Sequence, residues 1–279
     1  MMNRGIQGQY PPGSIFKIVT GLAALEAHKI SVSTVFRCPG FYMLGKRAFR
    51  CWSEKGHGGQ NLFEAYAHSC DVFFYTTGLS VGADMIHRKA LEFGFSSPSG
   101  IDLPGERKGL VPSREWKQRT VHSDWFDGDT LNFSIGQGFL QVTPIQALDM
   151  VATVATGGQR LKPHLVDTID ELPVAQRHSS SMEVTPASLK AVQQGLDQVI
   201  NSDTGTGRLA RIPGVRVVGK TGTAETGKPG THAWFVGYAP AENPKAAIVV
   251  FLEHGGHGGV EAATIVRAVL LKMKEMGYL

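Results

Sequence analysis

Apolar residues recur at helical spacing right after a rigid turn near the start of the chain. Ile15, Phe16, Ile18, Val19, Leu22, Ala23 and Leu25 follow Pro11-Pro12-Gly13, where proline sets φ and glycine frees the next step. The spacing predicts a helix over 14–28. Residues 31–62 lack a sustained period and read as loops and short strands, broken at Pro39-Gly40 and at Gly56-His57-Gly58-Gly59. Asn61 is placed as an N-cap before Leu62, Phe63, Ala65, Tyr66 and Ala67. A turn at Ser69-Cys70-Asp71 then separates that helix from an apolar one over 72–78. A further helix over 83–93 is closed by Gly94. Residues 95–133 are turn-rich and carry Trp116, Trp125 and Phe126, as expected of a long loop that packs over something. Helices follow over 144–156, with Pro144 at the start, and over 186–200.

The last third changes character. Strands are expected over 215–218, 233–238 and 246–253, with turns at 227–230 and 240–244 and a closing helix over 264–276. A helical middle followed by hairpin-linked strands is the pattern of an α+β fold with an antiparallel sheet flanked by helices. One unit over 1–279 is expected, with a mainly helical and loop lobe over 14–165 and a mainly sheet lobe over 166–279. No internal repeat or low-complexity linker interrupts it.

Composition narrows the classes. With 42% hydrophobic and 19% charged residues in 279, the chain has the material for a sizeable core. The net charge of +4 comes without a dense Lys/Arg run, which argues against a nucleic-acid partner. The longest apolar run, 246–252, is strand-sized, so no segment reads as a membrane-spanning helix. The N-terminus lacks a secretory apolar region. The short lead before the Pro-Pro-Gly turn reads as a fragment whose upstream part is missing. Three cysteines are an odd number, which excludes a complete disulfide framework. One bridge plus a free thiol, three buried thiols and metal ligation all remain open.

Three short motifs carry candidate chemistry. Ser14 and Lys17 are three apart, so on a helix the hydroxyl and the amine share a face and can meet. A serine is a weak nucleophile until a neighbouring amine takes its proton. Ser69 and Asp71 sit in the turn between two helices, where a hydroxyl could relay a proton and a carboxylate could hold an ammonium. Lys220-Thr221-Gly222-Thr223 ends an apolar stretch and supplies a cation, hydroxyls and a glycine that lets a ligand approach the backbone. Such a strand edge can pair with an extended peptide and aim an N–H at an oxyanion. Each motif alone has a plain structural reading: an N-cap serine with an unrelated lysine, a capping turn, or a charged edge strand.

S-x-x-K with S-D-N and K-T-G, in this order, is the mark of penicillin-binding proteins and class A β-lactamases. The Ser-x-Asp of this chain resembles the elongation subgroup of penicillin-binding proteins, where it replaces the commoner Ser-x-Asn. The chain resembles the transpeptidase domain of class B penicillin-binding proteins, and within them the elongation-specific penicillin-binding protein 2 subgroup. The likeness runs through Tyr10-Pro11-Pro12-Gly13-Ser14, Gly56-His57-Gly58 and Ser69-Cys70-Asp71-Val72-Phe73-Phe74-Tyr75. It continues through Asp102-Leu103-Pro104-Gly105-Glu106, Pro112 to Lys117, Gly128-Asp129-Thr130, Ile135-Gly136-Gln137-Gly138 and Trp234 to Pro240. The resemblance implies a penicillin-binding transpeptidase, β-lactamase-like fold. It makes Ser14 the acylated nucleophile, Lys17 its base, Ser69 the proton shuttle and Asp71 the group that positions Lys17. Lys220, Thr221, Gly222 and Thr223 would bind the terminal carboxylate and ease the relay, with the N–H groups of Ser14 and Thr223 as oxyanion hole. The implied substrates are peptidoglycan stem peptides ending in D-Ala-D-Ala, with β-lactams as covalent inhibitors. The implied partners are elongation-complex proteins including a glycosyltransferase, and the implied place is the periplasm, anchored to the inner membrane. A β-lactamase or β-lactam sensor of the same fold, and an inactive scaffold, are the alternatives. A β-lactamase needs a positioned carboxylate, and the sequence identifies none in the 95–133 stretch, although Glu106 and Glu115 lie there.

Cys38, Cys51, His57 and Cys70 form a possible tetrahedral zinc shell, since thiolates and imidazole suit that ion. Their spacing is no C-x-x-C knuckle, and buried thiols are the plain alternative. Some members of the subgroup hold zinc by Asp, Asp, His and Cys at what look like these four places, so the resemblance implies a structural zinc here. A Cys38–Cys51 disulfide is the other reading. The remaining histidines, His28, His68, His87, His122, His164, His178, His232, His254 and His257, read as surface or loop residues. His254-Gly255-Gly256-His257 is placed towards the cleft end of a strand.

Overall fold

The architecture follows from one helix that is apolar all round. α2 (Lys17–Glu26) buries every residue from Lys17 to Leu25, and a helix without a polar face belongs inside a core. The computed structural model describes residues 2–173, 178–227 and 230–279. In it α2 packs against α4 (Asp71–Val81), α5 (Ala83–Glu92) and α9 (Pro186–Asn201). A short α1 (Arg4–Gln7) precedes it, and α3 (Leu62–Ala67) lies along α9. The expected helix over 14–28 is thus shorter, and its first turn, Gly13–Phe16, is a 3₁₀ turn.

Residues 36–60 form two small antiparallel pairs. β1 (Phe36–Cys38) pairs with β4 (Gly58–Gln60), and β2 (Phe41–Leu44) with β3 (Arg47–Arg50). Gly58 and Gly59, expected to break the chain, lie in a strand. The stretch 95–133 is no continuous loop, because α6 (Arg114–Val121) and α7 (Asp127–Ser134) lie within it. The Ser113 hydroxyl caps α6 by accepting from Trp116 N–H, and Lys117 Nζ ties the two helices at 2.6 Å from Asp129. α6 escaped the periodicity because Lys117 is its one buried residue. α8 (Pro144–Ala155) matches expectation. Two minor pairs follow, β5 (Gln159–Leu161) with β8 (His178–Ser181), and β6 (Thr168–Ile169) with β7 (Leu172–Pro173).

The main sheet has the order β11-β10-β9, all antiparallel. β9 is Val218–Ala224, β10 His232–Ala239 and β11 Ala246–Leu252. The register sets Phe235 opposite Thr221 and Trp234 opposite Gly222. The strand expected over 215–218 therefore lies further on, and Lys-Thr-Gly forms its body, not its end. Of the turn expected at 227–230, residues 228–229 lie outside the described residues. β10 is buried throughout; α8 packs on β10 and β11, and α9 on β9. A π-turn (Gly258–Ala262) leads into α10 (Ala263–Glu275), which closes the fold. Among the described residues no helix is long and apolar enough to cross a membrane.

Candidate active site

Ser14 is half-exposed on the 3₁₀ turn, held from two sides. Gly13 sits at φ +57° and its N–H donates to the Gly136 carbonyl at 2.9 Å. A Cβ on Gly13 would stand 2.8 Å from the Thr223 carbonyl, and one on Gly136 would stand 2.1 Å from the Gly13 carbonyl. Glycine at both places lets the turn wedge between β9 and the 135–138 segment. The Trp234 indole N–H completes the hold, donating to the Pro11 carbonyl at 3.1 Å.

Lys17 is fully buried, and its ammonium turns towards the second motif. Nζ donates to Asp71 Oδ1 at 2.7 Å, to the Ser69 carbonyl at 2.8 Å and to Ser69 Oγ at 3.3 Å. Among the described residues no hydrogen bond joins it to Ser14 Oγ, the contact that the i, i+3 spacing suggested. A carboxylate is the stronger acceptor for an ammonium, and Asp71 takes that place. The other Asp71 oxygen, Oδ2, accepts from Trp52 N–H at 3.0 Å.

Ser69 occupies a helix-terminating position usually given to glycine. Cys70 N–H donates to the Ala65 carbonyl and Ser69 N–H to the Tyr66 carbonyl, the paired bonds of a Schellman motif. The motif requires a left-handed residue, and Ser69 has φ +53°. There its hydroxyl lies 3.3 Å from Lys17 Nζ and 2.9 Å from Lys220 Nζ.

Lys220 is buried on β9 and also donates to the Thr221 carbonyl at 2.9 Å. Burial, reinforced by the charge of Lys17, holds its amine well below the ordinary lysine range, while Asp71 opposes the shift. The Thr221 hydroxyl lies 2.8 Å from the Thr206 hydroxyl, and Thr223 Oγ1 accepts from Gly258 N–H at 3.3 Å. A Cβ on Gly222 would stand 3.0 Å from Ile15 and 3.1 Å from the Pro12 carbonyl. The three motifs thus meet around the Ser69 hydroxyl through Lys17 and Lys220, and Ser14 is half-exposed on the turn that leads into Lys17.

The Cys38, Cys51 and Cys70 sulfurs and one nitrogen of His57 lie within 4.8 Å of one another. His57 Nδ1 faces the thiols, 3.6 Å from Cys38 Sγ and 3.5 Å from Cys51 Sγ. Its Nε2 is buried without a hydrogen-bond partner among the described residues. All three cysteines are free thiols, so the Cys38–Cys51 disulfide is not formed. A hydrogen bond with Cys70 pulls the Cys51 thiol down, and burial pushes the Cys38 thiol up. Three sulfurs and an imidazole gathered this closely are a donor set that fits zinc.

Three residues near the site escaped sequence reasoning. His68, placed among surface histidines, bonds Gln60 Oε1 through Nδ1 at 2.7 Å and Thr204 Oγ1 through Nε2 at 2.8 Å. Trp52 and Thr206 act on Asp71 and Thr221 from distant positions in sequence. Only adjacency to Ser69 could have pointed to His68. His232 is no surface residue either: it is buried, and its Nδ1 accepts from His254 N–H at 3.1 Å.

The model of the penicillin-binding protein transpeptidase domain matches residues 1–271. A curated relative, the peptidoglycan D,D-transpeptidase MrdA of Acinetobacter baumannii, is 36% identical over 94% of this chain and 42% of its own length. The chain therefore spans under half of that relative. The crystal structure of Pseudomonas aeruginosa PBP2 in complex with WCK 5153 superposes with TM-score 0.91 at 37% identity, covering 96% of this chain and 60% of that one. Helicobacter pylori PBP2 in its complex with MreC gives TM-score 0.90 at 34% identity, covering 100% of this chain and 52% of that one. By its motifs, its fold and these matches, the chain belongs to the penicillin-binding protein transpeptidase domain family.

Proposed function

We propose that the chain carries out D,D-transpeptidation of peptidoglycan stem peptides through an acyl-Ser14 intermediate. The observation that carries this reading is the Ser69 hydroxyl lying between Lys17 and Lys220, beside the half-exposed Ser14 turn. Ser14 Oγ attacks the carbonyl of the penultimate D-alanine as its proton passes to the Lys17 amine, which has first given one of its own protons through Ser69 to Lys220. The N–H groups of Ser14 and Thr223 stabilise the oxyanion. Ser69 protonates the departing D-alanine amine and is reprotonated from the lysines, leaving an ester on Ser14. An amino group of a neighbouring stem peptide then attacks that ester, restores the Ser14 hydroxyl and leaves a 4→3 cross-link. Lys220, Thr221, Gly222 and Thr223 receive the terminal carboxylate, and Asp71 holds Lys17 in place. β-Lactams acylate the same serine. The MreC complex of the Helicobacter pylori relative supports a place in an elongation complex, with a glycosyltransferase as further partner, in the periplasm at the inner membrane.

Neither glutamate of the 95–133 stretch stands free to serve a β-lactamase. Glu106 accepts from the N–H groups of Ser99 and Gly100 at 2.7 and 3.1 Å, and Glu115 lies on the exposed side of α6, 3.5 Å from Arg119. Incubation with a fluorescent penicillin, followed by intact mass, tests the assignment. A lasting adduct, absent in Ser14→Ala, is expected. Rapid release of hydrolysed drug would mean a β-lactamase, and no adduct on folded protein would overturn both enzymatic readings.

The same proposal gives Cys38 Sγ, Cys51 Sγ, His57 Nδ1 and Cys70 Sγ a structural zinc. The ion would supply a cross-link between the 36–60 segment and the Ser69 turn, with no part in the reaction. Elemental analysis should give near one equivalent per chain, and a chelator should lower the melting temperature. An unchanged melting temperature after metal loss would refute the structural role.

A further inference from the structure

Ser69 is a residue whose conformation needs support. A side-chain-bearing residue in the left-handed region is strained, and such strain persists where surrounding contacts over-determine it. The contacts converge on the preceding residue. The Gln60 amide donates to the carbonyls of His57 and Gly59, which leaves its Oε1 as acceptor for His68 Nδ1–H. With Nδ1 as donor, Nε2 accepts from the Thr204 hydroxyl. The His68 carbonyl accepts from the Trp52 indole N–H at 2.8 Å. The ring also lies parallel to His57, with centroids 5.6 Å apart.

These bonds join three separate stretches of chain. Gln60 ends β4, His68 follows α3, and Thr204 lies between α9 and β9. That last stretch also reaches the third motif, since Thr206 N–H donates to the Ala67 carbonyl and its hydroxyl meets Thr221. The separation between the Ser69 turn and β9 is therefore spanned by His68 and Thr204, as well as by the short bond from Lys220.

We propose that His68 is a positioning residue for Ser69: its imidazole, bridged between Gln60 and Thr204, holds the left-handed turn in which the Ser69 hydroxyl reaches both lysines. The proposal rests on the reading of Ser69 as the proton relay. His68 touches neither substrate nor the reacting atoms, and its effect passes through the turn. The bridge needs one donor and one acceptor nitrogen on opposite sides of a rigid ring. Glutamine can keep the Thr204 side, and phenylalanine keeps only the stack on His57.

The test uses His68→Phe, His68→Gln and Thr204→Val, the last at an exposed position that leaves the core untouched. Acylation by a fluorescent penicillin is resolved into its binding constant and its rate constant. His68→Phe should slow the chemical step by about tenfold to a hundredfold, the range expected for a misplaced group, with binding unchanged. His68→Gln should recover part of the loss. Thr204→Val should slow the step in the native background and add nothing to His68→Phe. The second readout needs no activity. In a Ser69→Gly background, where left-handed backbone carries no strain and relaxation of the turn recovers none, His68→Phe should lower the melting temperature more than in the native chain. Equal drops in the two backgrounds, or an unchanged acylation rate in both His68→Phe and Thr204→Val, would overturn the proposal. If the native protein formed no Ser14 adduct while the difference in melting held, the relay reading would fall and the clamp would stand.

Discussion

Lys220 lies fully buried with Lys17 and Asp71 as its neighbouring charges, and its environment favours the neutral amine. Its folded pKa is lowered below the ordinary 10.5. The folded chain thus binds fewer protons than the unfolded one between the lowered pKa and 10.5, and stability rises with pH across that window. Lys220→Met should flatten that rise, as read from denaturant midpoints over a pH series. A substrate carboxylate placed beside the amine favours the ammonium again. Binding of a D-Ala-D-Ala peptide to Ser14→Ala should therefore take up protons, seen by calorimetry in buffers of different ionisation heat. No uptake would mean that Lys220 is already charged in the free protein. The glycines under Ser14 give a second prediction at this scale. Gly136→Ala introduces a Cβ 2.1 Å from the Gly13 carbonyl at a φ of +78°. It should cost about 2 kcal/mol or more and slow acylation, because the turn that carries Ser14 must move.

Among the elements, α3 matters most, because its C-terminus delivers Ser69. Its start is fixed by a capping box: Asn61 Oδ1 accepts from Phe63 and Glu64 N–H, and the Glu64 carboxylate accepts from Asn61 N–H at 2.8 Å. Asn61→Ala should cost about 1 kcal/mol and lower the melting temperature by about 2–4 °C for a chain of this size. Asn61 was legible in the sequence because capping is local chemistry. The apolar helices were legible for the same reason, as was the α+β layout. β9 was legible only in part. Its residues Gly219 to Thr223 show no alternation, since close approach dictates small side chains: a Cβ on Gly219 would stand 2.5 Å from the Val236 carbonyl. The three motifs announced Ser14, Lys17, Ser69, Asp71 and Lys220 and paired Asp71 with Lys17, as the structure has it, yet not that this pairing stands in place of the Lys17–Ser14 contact. That Lys17 turns to Asp71 in place of Ser14 depends on a helix start 54 residues away. Trp52, His68 and Thr206 act through a few hydrogen bonds each to other stretches of the chain, and no local pattern encodes such bonds.

At the scale of the whole molecule, helices and sheet share a continuous hydrophobic core that runs from Phe16 and Val19 to Trp234 and Val266. The 36–60 segment lies at its margin, with Phe41, Met43 and Trp52 exposed. Short ladders hold it, together with bonds from Cys51 N–H to the Gly40 carbonyl and from His57 N–H to the Cys38 carbonyl. Segments with few buried contacts open at lower free energy than the core, so with the proposed zinc in place this one would depend most on its fastening at Cys38, Cys51, His57 and Cys70. The fastening also reaches the chemistry, because Trp52 N–H, next to Cys51, bonds the carboxylate that holds Lys17. Chelator treatment, or Cys38→Ser, should thus raise hydrogen exchange at Cys51, Trp52 and His57 and then at Ser69 and Cys70. Phe235 and Val236 in the central strand should stay protected. Penicillin acylation should slow in the same samples, because a freed Asp71 no longer fixes the Lys17 ammonium. Loss of protection throughout the chain at one rate would show instead that the cluster belongs to the global folding unit. Unchanged exchange at Ser69 would cut the link from the cluster to the catalytic turn.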